Sequence, residues 1–177
     1  MTMPRIAAAM QRVAALLKRR PEAGLHDDTP ATACWRSGTL VVSGHANGLQ
    51  ILTDMPHELG GGGDQVTPGW LLRAGLASCL TTRIAMGAAA RGIRLTALEV
   101  EARSRSDVRG LLGMADAEGA AVSPGPRDMQ LLVRITAQGI SPERLRALVE
   151  ESQRCSPVPS ALRNIVPVNL RIDVDCT

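Results

Sequence analysis

One stretch of this chain constrains its fold more than any other: PGWLLRAGLASCLTTRIAMGAAARGI, residues 68–93, which carries apolar side chains on several sides at once. Thr67 is suited to cap a helix start, and Pro68 fits the first helical position, where its missing N–H costs nothing. The spacing predicts a helix from about Gly69 to Arg91, closed by Gly92. Leu76, Leu80, Ile84 and Ala88 form one stripe, and Leu72, Gly75, Cys79, Thr82 and Met86 form a second. A helix apolar on more than one side must lie in the centre of a fold or between subunits. It does not suit a bilayer, because Arg73 and Arg83 interrupt it and a charge near the membrane centre costs about 2.5–3.5 kcal/mol. A soluble, cytoplasmic protein is the expectation.

The rest of the chain supplies layers to cover that helix. Residues 1–24 read as an amphipathic helix with Ile6, Met10, Val13 and Leu17 on one stripe, ended by Pro21. Apolar runs at Ala33–Ser43 and Leu49–Thr53 flank SGHANG, a hairpin signal. MPHELGGGGDQVTP, with four consecutive glycines, reads as a loop, either a flexible entry to the long helix or a mobile rim over a site. Strands are expected at Leu95–Ala102, extending toward Ser106, and around Leu131, Val133 and Ile135. Ser141 then caps a helix whose inner face is Leu145, Leu148 and Val149, ended by Pro157 and Pro159. Residues 166–174 alternate strictly, with Val168, Leu170, Ile172 and Val174 inward, and predict a final strand. This order is that of an α+β fold with mostly antiparallel pairing, in one domain spanning residues 1–177.

Composition removes several classes of function. There are two Trp and no Tyr or Phe, so the aromatic platforms on which nucleic acids stack are missing. A formal charge of +3 is too mild to indicate a polyanion partner, and no nucleic-acid or membrane partner is expected. The three histidines are scattered and no CxxC spacing exists, so no metal site is expected. No nucleophile elbow marks a serine hydrolase.

What remains is thiol chemistry. Of four cysteines, Cys34 and Cys176 have neither a cation nor a helix around them. Cys79 sits on the rigid long helix, and Cys155 lies where a charged helix gives way to SPVPS. A thiol is a good nucleophile only as thiolate, with a reference pKa of roughly 8.5. Cys79 lies too deep in its helix for the helix terminus to help. A cation has to do it: Arg83, one turn on, is the local candidate, and Arg36, Arg73 and Arg109 are candidates to arrive through the fold. Read from the residues alone, each cysteine is equally compatible with a plain packing role.

TPGWLLRAGLASCLTTRIAMGAAARGI, SDVRGLLG and CSPVPSALRNIVPVNL together resemble the OsmC/Ohr family of thiol-dependent hydroperoxide reductases. The likeness covers residues 33–174, and residues 1–24 look like the helical extension of one subgroup. The resemblance implies an antiparallel sheet wrapped around two central helices, in an interlocked homodimer. It makes Cys79 the peroxide-attacking residue and Cys155 the resolving one, with Cys79 sulfenic acid captured as a Cys79–Cys155 disulfide. Arg36 is the implied catalytic arginine, with Arg83, Arg109 and Arg73 as further support for the thiolate. Trp70, Leu72 and Met86 would form an apolar wall selecting small organic hydroperoxides. No bound cofactor is implied, only an external dithiol reductant such as a lipoyl group or a small thiol.

Two departures stand out. The family's Asn-Pro-Glu before the reactive helix is here Thr67, Pro68 and Gly69, so a supporting carboxylate is missing. Ser156 intervenes between Cys155 and the Pro157–Val158 pair that would normally adjoin the cysteine. The alternative is therefore a dimeric binding or stress-associated protein that keeps the scaffold with little or no turnover.

Overall fold

The computed structural model describes residues 3–164 and 166–174. The long apolar segment forms α2 (Pro68–Ala90), and Thr67 caps it as its sequence predicts, with Oγ1 accepting the Trp70 N–H at 3.2 Å. Helix α1 (Met3–Arg19) precedes three short strands, β1 (Thr32–Ser37), β2 (Leu40–Gly44) and β3 (Gln50–Thr53). After α2 come β4 (Leu95–Arg105), a one-turn helix α3 (Val108–Leu111), β5 (Arg127–Ala137), α4 (Pro142–Arg154) and α5 (Pro157–Arg163). The fold is α+β with every strand ladder antiparallel, in two sheets of order β1-β2-β3 and β4-β5.

Helix α2 sits at the centre, packed against α1, β4, α4 and α5. Its first predicted stripe is the one that is buried: Leu76, Leu80, Ile84 and Ala88. Leu80, Ile84 and Ala88 join Ile93, Leu145 and Leu148 in the core. Each fully buried Leu or Ile there contributes about 1.5–3 kcal/mol relative to exposure. The β4–β5 ladder covers this core with one face, because its register sets Leu98 opposite Ile135, Val100 opposite Val133 and Ala102 opposite Leu131. The intervening residues turn outward, where Arg134 pairs with Glu99 at 3.4 Å and Glu101 at 3.8 Å.

Four sequence expectations are corrected. Ala33–Ser43 is two strands, since Gly38 at φ +51° turns the chain between β1 and β2. Pro157 and Pro159 do not simply end α4. Pro157 opens α5 from its first turn, the position where a proline fits a helix. The glycine run is not free chain: a Cβ on Gly61 would lie 1.8 Å from the Met55 carbonyl oxygen, so only glycine fits that approach. Buried Asp54 holds the loop by accepting N–H groups from Gly62 at 2.7 Å and Met55 at 2.8 Å, together with the Thr39 hydroxyl. The Thr39 hydrogen bond first, then those from Gly62 and Met55, keep its carboxyl below the usual range. Finally, residues 166–174 are not a strand and lie exposed, and among the described residues no strand edge pairs with them.

Candidate functional site around Cys79

Cys79 lies half-buried on α2, one turn after Leu76 and beside the start of α5. Its Sγ is 3.2 Å from the Ser156 hydroxyl oxygen. It also accepts the backbone N–H of Val158 at 3.5 Å. Ser156 is fully buried. The Ser-Pro step produces this arrangement: Ser156 is the last extended residue before α5, and Pro157 fixes the first turn that aims the Val158 N–H back at the sulfur. Two polar groups thus converge on one thiol.

The residue that meets Cys79 is therefore Ser156, where the resemblance leads one to expect Cys155. Cys155 is exposed at the end of α4, with its N–H tied to the Glu151 carbonyl at 3.2 Å. Consecutive residues leaving a helix point in different directions, and only the second of them faces inward. The Ser-Pro pair was the available signal, since a buried hydroxyl directly before a helix start requires a partner. Cys34 is an exposed β1 residue, and Cys176 lies outside the described residues.

The four candidate arginines fare differently. Arg36 is exposed on β1, a strand that pairs with β2, while α2 packs on other elements. Arg109 is committed to Asp107 by two hydrogen bonds of 3.0 and 2.7 Å. That fork, chiefly its hydrogen bonds, holds the Asp107 carboxyl at about 2. Arg73 donates to Ser104 at 3.4 Å. A Cβ on Gly69 would stand 3.8 Å from Arg73 Nη1.

Arg83 is the exception. Its Nη1 is buried and, among the described side-chain nitrogens and oxygens, is the one buried atom without a partner. It belongs to the α2 row Cys79, Arg83, Gly87, Arg91, whose other members meet the 148–156 stretch. Cys79 touches Ser156, Arg91 pairs with Glu151, and a Cβ at Gly87 would lie 2.9 Å from Leu148 Cδ1 and 3.1 Å from Ser152 Oγ. A guanidinium one turn from the thiol is thus left with a free hydrogen-bonding group.

Two apolar cavities flank this helix. One, of about 470 Å³, is lined by Leu72, Leu76, Pro159 and Leu162, with Gln153 and Arg163 as polar members. The other, of about 450 Å³, lies between the start of α2 and α3 and includes Gly69, Leu72, Arg73 and Asp107. Leu72 lines both, whereas Trp70 is nearly half exposed and Met86 half-buried, and neither lines either cavity. Among the described residues, no three His, Cys, Asp or Glu side chains gather, and no helix is long and apolar enough to cross a membrane.

Comparison with known proteins places this geometry. The sequence pattern of the OsmC-like protein family matches residues 61–171, which include Cys79, Arg83 and Ser156. No curated protein matches the chain. Among solved structures, an OsmC-like protein from Mycoplasma pneumoniae superposes with a TM-score of 0.65 at 17% identity, covering 80% of this chain and 91% of that one. An organic hydroperoxide resistance protein from Elizabethkingia anophelis gives 0.59 at 22% identity, covering 80% and 91%. A putative organic hydroperoxide resistance protein from Vibrio cholerae, with captopril bound in one of its active sites, gives 0.53 at 21% identity, covering 80% and 89%. These likenesses show a shared fold, with its sheet and two central helices.

Proposed function

The chain belongs to the OsmC-like protein family, and from that premise we propose that it is a thiol-dependent peroxidase reducing small organic hydroperoxides at Cys79. The observation that carries the reading is the convergence of the Ser156 hydroxyl and the Val158 N–H on the Cys79 sulfur. The unpartnered Arg83 Nη1, one turn away, offers the nearby positive charge that local sequence could name. Two neighbours in fold are called organic hydroperoxide resistance proteins, which supports the same substrate class.

The chemistry follows from these groups. Cys79 thiolate attacks the terminal peroxide oxygen, the O–O bond breaks, and the alkoxide leaves and takes a proton as an alcohol. The sulfur is oxidised to a sulfenic acid, which a thiol reductant returns to the starting state. Arg83 balances charge on the departing oxygen. The cavity lined by Leu72 and Leu76 receives an alkyl or aryl group that hydrogen peroxide lacks. We assign residues 1–177 to one domain with α1 as an amino-terminal extension, working as a homodimer.

The second reading, a scaffold that binds without turnover, draws on Gly69, which leaves Arg73 without the carboxylate that the family's motif would supply. Peroxide consumption separates the two. Wild-type protein with a thiol reductant is expected to consume cumene hydroperoxide faster than hydrogen peroxide, and Cys79→Ala to fall to the uncatalysed rate. Equal consumption by wild type and Cys79→Ala overturns the peroxidase reading.

A further inference from the structure

We propose that Ser156 makes Cys79 a one-cysteine centre, whose sulfenic acid is resolved by a low-molecular-weight monothiol from outside the chain and not by Cys155. This inference rests on the peroxidase reading of Cys79. A disulfide requires the two sulfurs to bond at about 2.05 Å, with their Cα atoms usually 4.4–6.8 Å apart. The place beside the Cys79 sulfur from which a resolving thiol would attack holds the Ser156 oxygen at 3.2 Å, and a serine cannot form that bond.

Cys155 reaches the sulfur only by displacing this neighbour. Ser156 is fully buried, and its N–H bonds the Gln153 carbonyl at 3.3 Å, while that of Cys155 bonds Glu151. Turning Cys155 inward expels a buried hydroxyl, breaks the last turn of α4, and moves Pro157 and the Val158 N–H away from Cys79. Three features of the site work against one exchange.

The same contacts suit a sulfenic acid that waits. Once oxygen is added to Cys79, the Ser156 hydroxyl and the Val158 N–H are the donors within reach of the new S–O group, and they hold it in one orientation. The cavity lined by Leu72, Leu76, Pro159 and Leu162 lies one turn of α2 before Cys79 and is the place we assign to an incoming monothiol R′SH. In the first step Cys79–SOH and R′SH give Cys79–S–S–R′ and water. A second R′SH then attacks, releasing Cys79–SH and R′SSR′. The two thiols supply the two electrons that the hydroperoxide removed, so the cycle closes without an internal partner.

The full-length reduced protein, given one equivalent of cumene hydroperoxide, tests this by peptide mass mapping. The expected product is Cys79 sulfenic acid, trapped by dimedone, which glutathione converts to a mixed disulfide on Cys79. Cys155→Ser is expected to turn over with glutathione at the wild-type rate. Ser156→Cys is expected to form an internal disulfide with Cys79 and lose dimedone trapping. A disulfide from Cys79 to any cysteine of the wild-type chain overturns the inference, as does a tenfold or greater loss of turnover in Cys155→Ser. Those outcomes leave the peroxidase reading standing; a Cys79 that is never oxidised removes both.

Discussion

At the scale of single residues, the contrast between Arg83 and Arg109 shows how partners decide what a charge can do. Arg109 is spent on Asp107, and Arg83 keeps a buried Nη1 unpaired. The Asp107 carboxyl is depressed to about 2, first by its side-chain hydrogen bond from Arg109. The unfolded reference is roughly 3.9. A depressed carboxyl stabilises the fold in full above the unfolded value and loses that contribution as pH falls through the folded one. The pair is therefore expected to persist from neutral pH down to about 4 and to weaken between about 4 and 2. Titration of the Asp107 carboxyl by NMR checks it, and a midpoint in the ordinary carboxylate range would refute the fork. Sequence could name Arg83 because it shares a helix with Cys79. It could not reject Arg109, since nothing in local spacing says that a neighbouring aspartate folds back onto it. Ser156 was visible in the sequence only as an inserted residue before Pro157: burial, which sets its role, depends on two elements packing.

At the scale of elements, periodicity was most informative where an element is long and meets many neighbours. The α2 stripe Leu76, Leu80, Ile84, Ala88 is the buried one, and Ile84 is completely enclosed. Ile84→Ala is expected to cost about 2–5 kcal/mol, since the lost transfer energy is joined by a cavity that the surrounding elements fill only in part. Urea unfolding measures it, and a loss below about 1 kcal/mol would mean that the core collapses freely around the site. Short elements were less legible. The run Ala33–Ser43 conceals a turn at Gly38 because strand-forming residues stand on both sides of a single glycine. The four glycines suggested flexibility, yet Asp54 binds two backbone N–H groups of that region and Met55 approaches Gly61 too closely for any side chain. Loop composition reports conformational freedom in the unfolded chain, whereas order here comes from a buried carboxylate brought in from β3's end.

At the scale of the molecule, the alternation of residues 166–174 predicts a strand, and among the described residues nothing pairs with it. Val168, Leu170, Ile172 and Val174 are 93%, 84%, 71% and 74% exposed. Alternating apolar chain with free backbone groups is a template for pairing with another edge. The β1–β3 sheet has the matching deficiency, for Trp35, Ile51 and Leu52 are exposed and α2 packs against other elements. Both surfaces would be satisfied together if two copies exchanged them, and such an exchange would leave the α2–α4 core within one chain. The double variant Leu170→Lys, Ile172→Lys tests the exchange, because two charges on the inward face would have to be buried against the partner. Sedimentation is expected to show dimers for the wild type and a strong shift to monomers for the variant. Ile84 and its neighbours lie within one chain, so the monomers should keep their helical circular dichroism. Dimers that survive both lysines would mean that the tail is not the contact, and a wild type monomeric at tens of micromolar would remove the exchange altogether.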